Sequence, residues 1–194
     1  MALAYTNIKV ELREISLRNR PQALYNVSQK GTVPVLITND DIIIDESLDI
    51  ILWALKNDKD QTWLSENSDN KMELITINDT TFKKWLDRYK YHDRYPENSK
   101  DYYKEKCAAI LSEYDKQLCN TKYLSRDEIS ITDIVIFPFI RQFANVDYQW
   151  FESNYTHLEN WLNNISSSDL FISVMEKYNT WNEKDEPQII NFNN

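Results

Sequence analysis

The spacing of apolar positions changes along this chain of 194 residues, and the change divides it. Residues 1–55 carry a mixed pattern. Residues 1–5 include Ala2-Leu3-Ala4, strong helix formers with no cap before them, so they read as the tail of a helix that Asn7 stops. Val10, Leu12 and Ile15 alternate with Glu11 and Arg13, the two-residue period of a half-buried strand. Pro21 opens a short helix through Tyr25, because its missing N–H is harmless at a first helical position. Residues 33–37 form an apolar strand interrupted by Pro34; Asn39-Asp40-Asp41 turn the chain and residues 42–44 return, which predicts a hairpin. Glu46-Ser47 then starts a helix that buries Leu48, Ile51, Leu52 and Leu55.

Residues 56–66 are polar and read as a linker. Beyond them the spacing is helical almost throughout. Ile75, Phe82, Trp85, Leu86 and Tyr89 fall on one stripe, and Tyr103, Cys107, Ile110, Leu111, Tyr114 and Leu118 on a second. Ser130 followed by Asp133 is a variant capping box, in which the hydroxyl takes an exposed N–H and the acid sits at the positive end of the helix. The residues after it, Ile131, Ile134, Val135, Phe137, Ile140 and Phe143, are apolar on several faces and mark the centre of a domain, with Pro138 expected to kink the helix. Leu158, Trp161, Leu162 and Ile165 predict a fourth helix, and residues 170–178 a fifth. The outline is a small α/β unit at residues 1–58 and an all-helical unit at residues 67–180.

Composition narrows the function. A formal net charge of −9, with both the first 60 residues and the remainder acidic, argues against nucleic acid or an anionic membrane as the main partner. The single glycine, Gly31, excludes the glycine-rich phosphate loops of nucleotide-binding folds, which need several positions free of Cβ. Cys107 and Cys119 form no CxxC pair, and His92 and His157 stand alone. No metal site, no disulfide framework and a reducing, cytoplasmic setting are therefore expected. No apolar run approaches the roughly 20 residues that span a bilayer.

The chemistry concentrates in Lys30-Gly31-Thr32-Val33-Pro34-Val35-Leu36 and in Asp45-Glu46-Ser47. A proline entering a buried strand is tolerated when its peptide bond is cis, and the turn then offers the preceding residue's N–H and C=O to a bound partner. Ser47 at a helix N-terminus meets free N–H groups and a dipole that favour a carboxylate. Each motif alone also has a plain structural meaning, an ordinary trans X-Pro bond in one case and a helix start in the other.

Taken together and in order, Thr32-Val33-Pro34-Val35-Leu36, Glu46-Ser47, Ser130-Ile131-Thr132-Asp133 and the stretch from Ile136 through Phe139 to Ala144 resemble the glutathione transferase family. The resemblance extends from residue 1 to about 180. It implies an α/β thioredoxin-like N-terminal domain followed by an all-α helical-bundle C-terminal domain. It also implies that Val33 pairs its backbone with the cysteinyl part of glutathione and that Pro34 is cis. Ser47 would hold the γ-glutamyl carboxylate, Glu46 the ammonium, and Lys30 would stand near the glycyl carboxylate or be merely solvated. A zwitterionic peptide needs a cation, an anion and a helix N-terminus, and all three types fall within 18 residues.

The resemblance departs at the start. Met1-Ala2-Leu3-Ala4-Tyr5 aligns inside the family's first helix, so the first strand and the turn bearing the catalytic Tyr, Ser or Cys are expected to be missing through a misplaced start, decay of the copy, or a partner that covers the gap. Tyr5 reads as a packing residue, and no catalytic residue can be named. Tyr148, Trp150 and Phe151 read as packing beneath the helical domain, with a cosubstrate pocket as the other possibility. Two functions follow from the resemblance. One is a glutathione-binding enzyme that conjugates the thiol to an electrophile or reduces disulfides. The other is a non-catalytic interaction module of the same fold, as in the translation elongation factor gamma family. A homodimer is the expected assembly.

Overall fold

The structure, a computed structural model, describes residues 1–56, 58, 62–64 and 71–192. The chain forms two compact units, Met1–Gln61 together with Asp169–Asn194, and Thr62–Ser168. Among the described residues, no helix is long and apolar enough to cross a membrane.

In the first unit, helix α1 (Ala2–Tyr5) ends where expected, with Asn7 in the left-handed region at φ 54°. The Asn7 N–H bonds the Ala4 carbonyl at 3.1 Å and the Ile8 N–H reaches Leu3 at 2.9 Å, so the last carbonyls of the helix are satisfied. Strand β1 (Val10–Glu11) is shorter than its alternation predicts. It pairs antiparallel with β4 (Ile189–Ile190), Val10 opposite Ile190. The contact continues past the ladder: Leu12 N–H donates to the Gln188 carbonyl and Trp181 N–H to that of Glu14, each at 2.8 Å. The Arg13 guanidinium lies 5.0 Å from the centre of the Trp181 ring. The C-terminal segment therefore runs along residues 10–14, a pairing absent from any local pattern.

Helix α2 (Gln22–Val27) follows Pro21, which stands one position before the helix rather than inside it. The predicted hairpin forms from β2 (Leu36–Ile37) and β3 (Ile43–Ile44), with Leu36 opposite Ile44 and Ile37 opposite Ile43. Its turn is closed by Thr38, whose N–H bonds the Ile42 carbonyl and whose hydroxyl accepts from the Ile42 N–H. Helix α3 (Ser47–Leu55) buries Ile50, Ala54 and Leu55, whereas Leu48 and Ile51 are half-buried and Leu52 is exposed. At 100° per residue Leu52 points away from Ile50, and α3 packs against α1 within this unit. Helix α10 (Asp169–Ser173) also packs on α1 and stops five residues short of the predicted end.

The second unit holds most of the core. Helix α4 (Lys71–Ile77) runs into a π-helical turn (Asn78–Phe82) and on into α5 (Lys83–Lys90). Ile75, Phe82, Leu86 and Tyr89 are buried along this run as predicted, while Trp85 is half-buried and stacks on Tyr103 at 6.3 Å. Helix α6 (Lys100–Leu118) begins at Ser99, whose hydroxyl accepts from the Tyr102 N–H, and buries Tyr103, Cys107, Leu111, Tyr114 and Leu118.

Helix α7 (Ile131–Ala144) is the centre, with every side chain from 131 to 137 buried; Pro138 lies within it at an exposed position. Helices α8 (Tyr148–Asn154) and α9 (Thr156–Ser166) complete the unit. Phe143 gathers the aromatic core, with ring centres of Phe82, Tyr89, Trp150 and Phe151 at 5.2–6.3 Å. Trp150 and Phe151 thus pack within the helical unit, and Phe151 is fully buried.

Asp133 is the polar keystone of this unit. Its carboxylate accepts from the Ser130 N–H (2.9 Å) and hydroxyl (2.8 Å), the Leu124 N–H (2.9 Å) and the Trp161 indole N–H (2.8 Å). Burial nonetheless pushes its carboxyl above the usual range, against the downward pull of those four bonds. The N-terminus of α9 is capped from another helix: Asp115 of α6 accepts from the N–H groups of His157 and Leu158.

Within the segment predicted as a linker, Trp63 is buried at 1% exposure and its carbonyl accepts from the Ile131 N–H. Residues 57, 59–61, 65 and 66 of that segment lie outside the described residues. Trp63 and Leu64 are flanked by polar residues on both sides, and two adjacent apolar positions leave no periodic trace of a core residue.

Candidate functional site

The turn after α2 brings the first charged group into place. Ser28 ends the helix, and Gly31 N–H bonds the Ser28 carbonyl at 3.0 Å. Gly31 sits at φ 60°, and a Cβ there would come within 2.3 Å of the Tyr25 ring, so no other residue fits without displacing that ring. Lys30 is thereby held beside the segment that precedes α3. Its ammonium lies 2.6 Å from Glu46 Oε1 and 3.3 Å from Asp45 Oδ1. Asp45 is held in turn by the Ser28 hydroxyl at 3.1 Å. The hydrogen bond to Glu46, and then that to Asp45, raises the Lys30 pKa above its ordinary value.

Glu46 occupies the N-cap position of α3 with extended backbone (φ −113°, ψ 132°) and makes no side-chain cap bond. Ser47 is the first helical residue and is exposed. The first N–H groups of a helix have no intrahelical partner, and the dipole adds positive potential there. Val33 and Pro34 follow the Gly31 turn, both exposed, and their connecting peptide bond is cis.

Of the five residues singled out from the sequence, the structure joins Lys30 and Glu46 directly and sets Ser47 next to them. Val33 and Pro34 stand on the strand approach that follows the same turn. Two further residues enter the cluster, Ser28 and Asp45. Asp45 was legible as part of an acidic pair; Ser28 was not, because only the path of the chain brings it to a partner 17 residues away.

No activated nucleophile accompanies this cluster among the cysteines. Cys107 is fully buried, and burial pushes its thiol up to about 12, so it is not ionised at neutral pH. Cys119 is exposed at the end of α6 in the helical unit. Tyr5 is half-buried and its hydroxyl donates to Asp58 at 3.3 Å, consistent with a packing role.

A short-stranded α/β unit with a cis-proline turn, together with a helical unit centred on a capped, buried helix, defines the class. Residues 1–62 match the model of the glutathione S-transferase N-terminal domain and residues 48–169 that of its C-terminal domain. The chain belongs to the glutathione S-transferase family, with a thioredoxin-like N-terminal domain and a helical C-terminal domain. No curated protein matches the sequence.

Solved structures share the fold at low identity. BphK, a bacterial GST crystallised as a ternary complex, is 18% identical, with 89% of this chain and 88% of that chain covered and a TM-score of 0.74. The glutathione transferase URE2P6 from Phanerochaete chrysosporium, in complex with oxidized glutathione, is 15% identical over 89% and 86% of the chains at a TM-score of 0.78. A family member from Pseudomonas fluorescens with two glutathione molecules bound is 16% identical over 88% and 83%, with a TM-score of 0.72.

Proposed function

We propose that this protein binds glutathione at the start of α3 and uses it either to conjugate an electrophile or to reduce a disulfide. The observation that carries the reading is the cluster of Lys30, Asp45 and Glu46 immediately before the helix that Ser47 opens. Ser47 receives the γ-glutamyl carboxylate through its N–H and hydroxyl, where the helix end favours negative charge. Glu46 takes the ammonium, Lys30 turns toward the glycyl carboxylate, and the Val33 main chain beside Pro34 pairs with the cysteinyl residue. Glutathione is then a cosubstrate, and the protein acts in the cytoplasm as a homodimer.

A second reading is a non-catalytic module of the same fold. The Lys30–Glu46 ion pair favours it, because both charges are satisfied without a ligand. Calorimetric titration with glutathione separates the two. Binding that weakens about tenfold in Ser47→Ala, a loss of about 1.4 kcal/mol, with an unchanged melting curve, supports the site. Equal affinity of the variant removes Ser47 from it, and no heat at millimolar glutathione puts the module reading first. Turnover of a model electrophile against a mixed disulfide then distinguishes the two enzymatic forms.

A further inference from the structure

The cluster before α3 holds one more acid than a zwitterionic peptide uses. Glu46 answers the ligand's ammonium and Lys30 a carboxylate, which leaves Asp45 without a part in binding. Its surroundings give it one. Asp45 is the more sheltered of the two acids, its side chain 31% exposed against 61% for Glu46. The buried Ser28 hydroxyl donates to Asp45 Oδ2 at 3.1 Å, and the other oxygen, Oδ1, receives the Lys30 ammonium at 3.3 Å. Glu46 has no such anchor. Its side chain makes no cap bond to α3, and Lys30, at 2.6 Å, is its one ion-pair partner among the described residues.

The two acids therefore differ in what they can give up. Glu46 reaches a ligand only by releasing Lys30. An ammonium released with no other anion beside it would compete with the ligand's ammonium for the same carboxylate. Asp45, held by Ser28, already touches that ammonium, so it can retain Lys30 with little new ordering while Glu46 exchanges partners.

We propose that Asp45 is a positioning residue of the glutathione site: anchored by Ser28, it retains Lys30 when Glu46 moves to the γ-glutamyl ammonium, and so keeps Lys30 from competing for Glu46. Asp45 has this part only if glutathione binds at the start of α3, as proposed above. The sign of its effect is opposite to that of charge alone. Removing a negative charge beside the site should favour a peptide that carries net negative charge. Removing the anchor should weaken binding instead, because the Lys30–Glu46 pair must then break with nothing to replace it.

The test is calorimetric titration with glutathione of four proteins: the parent, Asp45→Asn, Lys30→Met and the double variant. Asp45→Asn is expected to bind about threefold to fivefold more weakly than the parent. In the Lys30→Met background no ammonium competes for Glu46, and there the same change should leave affinity equal or higher. A merely structural part for Asp45 would weaken both backgrounds alike, and that result overturns the proposal. So does an Asp45→Asn protein that binds as tightly as the parent or more tightly. A parent that gives no heat at millimolar glutathione overturns the glutathione reading itself, and the assignment of Asp45 with it.

Discussion

The two units of this chain are built on different terms. Among the described residues, 26 of the 31 buried apolar side chains belong to Thr62–Ser168 and five to the unit that carries the Lys30–Ser47 cluster. The large exposed apolar residues divide the other way, ten against four, with Val33, Ile37, Ile42 and Ile43 all around the hairpin. The helical unit is held by a continuous aromatic and aliphatic core with one satisfied buried carboxylate. The first unit is held by two ladders of two residue pairs each, an ion-pair cluster and the C-terminal segment laid along residues 10–14. The candidate binding residues therefore lie where local opening costs least, which suits a site that must admit a flexible peptide.

Four tests sharpen this contrast. The largest effect belongs to Asp133→Ala, which strands three buried N–H donors at once and should lower stability by about 4–5 kcal/mol in urea denaturation. A loss under about 1 kcal/mol would mean the network is incidental to the helical unit.

Next comes a matched pair. Phe143→Ala, at 1% exposure and amid four rings, should cost about 3–4 kcal/mol. Ile37→Ala, at 46% exposure, should stay within about 0.5 kcal/mol. Similar losses from the two would erase the distinction between the units.

Alkaline pH should act third. A thiol whose folded pKa is raised favours the folded state fully below its unfolded value and loses that contribution as pH climbs toward the folded value. For Cys107 the window runs from 9.0 to about 12. Stability of the helical unit should thus fall by about 2 kcal/mol between pH 9 and 10.5 from this group. Denaturation curves of Cys107→Ala, referred to its own value at pH 7, should show a flatter decline.

The smallest effect is the C-terminal contact. Trp181→Ala removes the ring beneath Arg13 and should cost about 0.5–1 kcal/mol. Truncation after residue 179 should go further locally, freeing the Leu12 amide for rapid hydrogen exchange because its acceptor is the Gln188 carbonyl. Amides of α6 and α7 should keep their protection; their loss would show that the contact supports more than the first unit.

What the sequence determined by itself is what repeats within one element or one turn. The stripe through α4 and α5, those of α6 and α9, the capping pair Ser130–Asp133, the stop at Asn7 and the hairpin around Asp41 are each specified within one short continuous stretch of chain. Spacing and backbone preference suffice to read them. The motif order from Val33-Pro34 to Asp133 carried the family for the same reason.

Tertiary structure alone decided the rest. It placed Ser28 and Asp45 with Lys30, and it buried Trp63. It set Asp115 at the start of α9, 42 residues away, and laid residues 181–190 beside 10–14. These contacts join positions whose local patterns carry no mark of a partner. A hydrogen bond or ion pair between distant segments depends on the whole path of the chain, and that path is fixed only when the core has packed.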